Sequence, residues 1–166
     1  MAYHATGETV ADQPDYDREQ ARAVIAAHAS MRGALLPLLH AVQRAIGFVP
    51  DDLVPEIAQA LNVSKADVHG VITFYHDFRR RPAGRHVVKI CRAEACQARG
   101  GAAIEAEAAE RLGVAMGETR GDGRVTLEAI YCLGLCASGP AALVDGVPIA
   151  NVNSARLVRI ATKVAA

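Results

Sequence analysis

Four cysteines constrain this chain more than any other feature, because they come as two close pairs. Cys91 and Cys96 enclose four residues, Cys132 and Cys136 enclose three, and 35 residues separate the pairs. Each pair follows directly on a segment that reads as a β-strand, HVVKI before Cys91 and LEAIY before Cys132. If those strands are neighbours, both loops leave the sheet at one end. Four sulfurs then converge in the crevice where open α/β sheets place ligands. The first twenty residues hold no apolar core of the kind a secretory leader needs, and no stretch nears about 18 apolar residues. The expected compartment is the cytosol, where two disulfides account poorly for four thiols. Buried thiols, structural zinc and an iron–sulfur cluster are the alternatives. Gly, Arg and Glu around the cysteines argue against four separate core positions, and zinc knuckles most often space their ligand pairs more tightly. A binuclear cluster wants two thiolates on each of two irons, which two pairs supply.

The hydrophobic pattern changes character along the chain. Residues 1–16 are polar and read as a flexible arm. From Asp17 the period is helical: Ala21, Val24, Ile25, His28 and Met31 recur until Gly33. A second helix is expected over 34–46, with Leu35, Leu38, Leu39, Val42 and Ile46 on one face and Gly47 closing it. Asp51 or Asp52 caps a third through Leu61, and Ser64 a fourth over 65–75 with Val68, Val71, Ile72 and Tyr75 inward. The run FRRRPAGRH breaks this pattern and sets a boundary near Arg81. Beyond it the expected order is β, α, β, β, β, α: strands at 86–90, 124–131, 141–144 and 147–151, helices at 102–112 and 154–164. Strand 86–90, a short β-branched and nearly continuous apolar run, reads as buried on both faces. Asp145-Gly146 joins the last two strands as a tight hairpin. The fold class is thus α/β, a small helical bundle over 17–80 followed by a mixed-sheet domain over 81–166.

Charge narrows the function. The 166 residues carry 18 Lys and Arg against 18 Asp and Glu, a formal net charge of zero. Proteins that live on nucleic acid or anionic membrane usually show a basic excess, so neither is an expected partner. A binuclear cluster on four thiolates would itself carry about two negative charges when oxidised and three when reduced, counting sulfides, thiolates and ferric ions. Such an anion needs N–H donors. The helix start after Gly100-Gly101 is one candidate source, and Gly134, inside the second pair, lets backbone amides come close.

The cysteine spacing, together with LLPLLHAVQRAIGFVP, NVSKADVHGVITFYHDF and PAGRHVVKIC, resembles the thioredoxin-like [2Fe-2S] subunit family. That family includes the 24-kDa subunit of respiratory complex I and the corresponding subunits of NAD-reducing hydrogenases and NAD-dependent formate dehydrogenases. The resemblance implies a helical N-terminal domain, a thioredoxin-like ferredoxin domain, and one [2Fe-2S] cluster ligated by Cys91, Cys96, Cys132 and Cys136. Cys91 and Cys96 would hold one iron, Cys132 and Cys136 the other. It also implies an electron-transfer rather than catalytic role, beside a flavin-bearing NAD-binding subunit and a larger catalytic subunit. FMN, NAD and any molybdenum cofactor would then sit only on those partners. Where many relatives carry Gly-Thr in the first loop, this chain has Ala93-Glu94. The segment CRAEACQARGG looks most like the gamma subunit of soluble molybdenum-dependent formate dehydrogenases.

Other readings carry less of the sequence. IAQALNVSKADVHGVI resembles a helix-turn-helix and would suit a cluster-bearing regulator. Its second helix opens on Lys65, Ala66, Asp67 and His69, and Asp51, Asp52 and Glu56 lie before it, poor company for phosphates. A stand-alone ferredoxin has little use for some 60 residues of additional helix, which are expected instead to dock a flavoprotein. Arg79, Arg80, Arg81 and Arg85 read as a solvated linker, or alternatively as a docking patch for an acidic surface. His28, His40, His69 and His76 read as packing or surface residues. Arg92 and Glu94 stand beside the cysteines and are candidates for electrostatic tuning. GGAAIEAEAAERLG lacks the spaced glycines of a dinucleotide fingerprint.

Overall fold

The computed structural model describes residues 14–165. Most of the segment expected to be a polar arm lies outside that range. The chain divides into two compact units after Pro82. No helix among the described residues is long and apolar enough to cross a membrane.

The first unit is helical: α1 (Arg18–His28), α2 (Leu35–Ile46), a 3-10 turn (Asp51–Leu53), α3 (Val54–Leu61) and α4 (Lys65–Phe74). Local chemistry sets each end. The Asp17 carboxylate accepts the Gln20 amide at 2.8 Å and starts α1. Gly47 ends α2 at φ 90°, and Asn62 ends α3 at φ 52°. Ser64 and Asp67 form a reciprocal capping box at the start of α4. The inward faces of all four helices bury Ile25, Leu38, Leu39, Val42, Ile57, Val68 and Ile72 in one core, closed by Phe78. At about 1.5–3 kcal/mol per fully buried aliphatic side chain, this core holds the bundle. Tyr16 packs edge-on against Phe48 and its hydroxyl donates to Asp52 at 2.8 Å.

Three sequence expectations differ here. Met31 lies beyond α1 and is largely exposed, because the helix ends at His28. Tyr75 caps α4 in extended conformation and points outward beside Phe74. Arg79 and Arg80 are not a solvated linker: the Arg79 amide donates to Gln43 Oε1 at 2.7 Å, its carbonyl accepts the Val49 amide, and Arg80 pairs with Asp51.

The second unit holds a four-stranded mixed sheet in the order β2-β1-β3-β4. β1 (His86–Cys91) and β2 (Val125–Ile130) run parallel, with His86 opposite Val125 and Cys91 opposite Ile130. β3 (Ala142–Val144) and β4 (Val147–Ile149) complete it antiparallel. Their turn places Asp145 at φ 50° and Gly146 at φ 80°, the left-handed pair that a two-residue hairpin needs. A short helix α5 (Glu94–Gln97), then α6 (Gly101–Leu112), lie between β1 and β2, and α7 (Ser154–Ala165) ends the chain. α6 packs on β1, β2 and α7, and the core joins Val88, Ile90, Leu127, Val144, Leu112, Leu157 and Ile160. β1 is less apolar than its composition suggested. Lys89 is only partly buried and pairs with Glu128 of β2 at 3.2 Å, so one face of β1 carries an ion pair.

Candidate metal centre

The parallel register decides where the cysteines meet. Because Cys91 ends β1 opposite Ile130, the last residue of β2, both cysteine loops leave the same end of two adjacent strands. The first loop turns at once into α5, which carries Cys96. The second bends sharply, with Cys132 at φ 71° and Gly134 at φ 73°, before a 3-10 turn that begins at Cys136. Left-handed residues in such a loop turn successive amides inward, in the manner of anion-binding nests. All four thiols are free. Within each pair they lie close: Cys91 and Cys96 pack in one buried cluster, and the Cys132 and Cys136 sulfurs lie 3.8 Å apart. Cys91 and Cys96 are buried and Cys132 and Cys136 exposed, so the pairs are unequal. Among the described residues, no three of His, Cys, Asp and Glu are arranged to hold a single metal ion.

Backbone donors surround these sulfurs. Burial disfavours charge on Cys91, yet the amides of Ala93, Cys132 and Leu133 and the Cys96 thiol all favour its thiolate and bring its pKa below the ordinary thiol range. Cys96 moves the other way, pushed up by burial and by its Cys91 neighbour, although the Ala141 amide opposes this. Cys136 is raised by its hydrogen bond and charge interaction with Cys132. The Gly134 amide lies 3.4 Å from the Cys132 sulfur. The donors named here belong to the cysteine loops and to Ala141.

Sulfur donors in two pairs, with amides aimed at them and Ala93, Ile130, Leu133, Leu135 and Ala141 packed around the buried pair, match what an anionic binuclear iron–sulfur group requires. Two contacts make the pocket narrow. A Cβ added to Gly139 would stand 3.3 Å from the Cys96 sulfur, and one added to Gly101 only 2.7 Å from the Cys96 carbonyl oxygen. Gly101 belongs to the helix start that the sequence marks as a candidate donor source, whereas Gly139 does not stand out there as a site residue. A Gly-Pro dipeptide three residues after Cys136 was the only signal there, and its peptide bond is cis.

The other candidate residues have local partners. Arg92 pairs with Glu105 at 3.0 Å, and Glu94 opens α5. His28 meets the Val24 carbonyl, the His40 ring lies on Phe78, and His86 meets Asp145. Glu56 is held by Arg18 and Arg22.

Comparison with known proteins agrees with this geometry. Residues 21–165 match the model of the thioredoxin-like [2Fe-2S] ferredoxin family. A subunit of the NADH-quinone oxidoreductase of Pseudomonas aeruginosa is 39% identical over 114 residues, 69% of each chain. The corresponding subunit of Escherichia coli K12 is 40% identical over an equal share of each chain. That of Rhizobium meliloti is 34% identical over 84% of this chain and 83% of its own. Among solved structures, an NAD+-reducing [NiFe]-hydrogenase superposes with a TM-score of 0.66 over 79% of this chain and 22% of that one. At 23% identity this last likeness concerns the fold. With the family model spanning both units and relatives matching over two thirds of their own length, the chain belongs to the thioredoxin-like [2Fe-2S] ferredoxin family.

Proposed function

We propose that this chain is a single-electron carrier subunit of the kind found in NADH-quinone oxidoreductase, holding one [2Fe-2S] cluster through Cys91, Cys96, Cys132 and Cys136. The observation that carries the reading is that both loops bearing the free cysteine pairs leave the shared end of two adjacent parallel strands. When bound, such a cluster takes up and releases one electron at a time. The chain's own task is then to keep the anion in place. Cys91 and Cys96 would hold one iron, and Cys132 and Cys136 the other. The amides of Ala93, Leu133 and Gly134 offset negative charge, and the hydrophobic shell limits water. The partner is a flavin-bearing, NAD-binding subunit in the cytosol, as the family resemblance implies.

Iron and sulfide assay with EPR of the reduced full chain tests this reading. Two irons, two sulfides and one unpaired spin per chain are expected; stoichiometric zinc without iron would overturn it.

A second reading places the same subunit in a formate dehydrogenase. Its support is Ala93-Glu94 in the first loop, where hydrogenase-type relatives carry Gly-Thr. Activity of the co-purified complex separates the parents. NADH-driven quinone reduction supports the first reading, formate-driven NAD reduction the second, and hydrogen-driven NAD reduction a hydrogenase. A chain that purifies without partners and reacts freely with a soluble flavoprotein would instead be a stand-alone ferredoxin.

A further inference from the structure

The segment from Cys136 to Ala141 forms one wall of the thiol site, and its backbone carbonyls are claimed in a revealing way. The Cys136 carbonyl accepts from Gly139, Ser138 from Asn151, Pro140 from Val152 and Ala141 from Cys91, all backbone amides. The Gly139 carbonyl is held differently, by a side chain: Arg99 Nε–H donates to it at 2.8 Å. Arg99 lies three residues after Cys96, so this bond ties the loop of the first cysteine pair to the loop of the second. Gly139 is buried between the two. A Cβ there would meet the Cys96 sulfur at 3.3 Å and Arg99 Cδ at 3.5 Å. Two residues further on, Ala141 packs in one buried cluster with Cys91 and Cys96.

We propose that Arg99 is a positioning residue of this centre: by gripping the Gly139 carbonyl it keeps the wall 139–141 seated on the Cys96 sulfur. The inference rests on the iron–sulfur reading above. Arg99 acts on the site through Gly139 and needs no contact with the cluster. Groups that orient the ligands of a metal centre commonly change metal retention by about 10- to 100-fold when removed. The guanidinium also brings a positive charge beside an anionic site, so position and charge must be separated by the choice of variant.

Glutamine separates them, because its Nε2 stands the same number of bonds from Cα as Arg Nε while carrying no charge. Lysine keeps the charge but places its nitrogen one bond further out. The full chain and Arg99→Ala, Arg99→Gln and Arg99→Lys are reconstituted with iron and sulfide. Loss of iron to a chelator, EPR g-values and midpoint potential are then followed. Arg99→Ala is expected to lose iron about 10- to 100-fold faster, with altered g-values and a metal-free melting curve close to that of the parent. Arg99→Gln is expected to regain most of the retention and the parental g-values, although its potential falls with the lost charge. Equal retention and g-values in Arg99→Ala and the parent would overturn the proposal. So would recovery by Arg99→Lys with none by Arg99→Gln, which would make charge the whole effect. If Arg99→Ala does not fold, the glutamine and lysine chains still decide between these outcomes. A parent chain that takes up no [2Fe-2S] cluster overturns the underlying reading first, before any Arg99 variant is compared.

Discussion

At the scale of single residues, the two cysteine pairs are chemically unequal. Cys91 is buried at the end of β1, where backbone amides hold its thiol below the ordinary range despite burial, whereas Cys132 and Cys136 lie at the surface. Cys91→Ala removes the sulfur on which both loops focus. It is expected to abolish stable iron binding while far-UV circular dichroism keeps the helical signal of the first unit, whose core lies entirely before Pro82. Retention of two irons in that variant would refute the ligand set. The cysteines themselves were legible in the sequence because their spacing and the strands before them are local properties. Arg99, Gly139 and the Ala141 amide were not. Their importance depends on which loop lies against which, and no local pattern records that Gly139 faces a sulfur 43 residues earlier in the chain.

At the scale of elements, short range again separates what the sequence disclosed from what it hid. Helix ends were readable where a cap or a left-handed terminator decides them, as at Asp17, Gly47 and Ser64. The four-residue α5 was missed, since a single turn has no periodicity to detect. Its junction with α6 makes a sharp demand. Gly101 passes so close to the Cys96 backbone that Gly101→Ala forces a shift of main chain, expected to cost about 1–3 kcal/mol in denaturant unfolding. An unchanged midpoint would mean that the junction yields freely. At the opposite end of the sheet, Asp145 accepts the Val87 amide at 3.0 Å and meets His86 and Lys163. Burial opposes its charge, but these partners prevail and hold its carboxyl below the usual range. Stabilisation from a depressed carboxyl is complete above the unfolded carboxylate range and fades as pH falls through the folded value. Asp145→Asn, which keeps a side chain tolerant of the left-handed turn, is therefore expected to lose up to about 1 kcal/mol near neutrality. The gap from the parent should close in acid. A gap that is constant with pH would point to the turn rather than to the charge.

At the scale of the whole molecule, the division after Pro82 separates two kinds of work. All four cysteines, the sheet and the sulfur-directed amides named above belong to residues 83–166. That segment expressed alone is expected to fold and to bind iron and sulfide with the EPR signature of the full chain; failure to take up iron would assign the first unit a part in building the centre. The run FRRRPAGRH sets an expected boundary near Arg81, whereas the anchoring of Arg79 and Arg80 into the helical unit depends on Gln43, Val49 and Asp51, contacts distant in sequence. The parallel register of β1 and β2 also has a consequence in time. Cys91 reaches Ile130 only after the chain has closed a loop of about 40 residues, and such non-local pairing forms slowly. During synthesis the first cysteine pair emerges well before the second, so the finished pocket is absent until β2 has docked. If the four cysteines hold the cluster as proposed, iron delivered earlier would meet only one of the two pairs, and loading would be a late event that waits on folding.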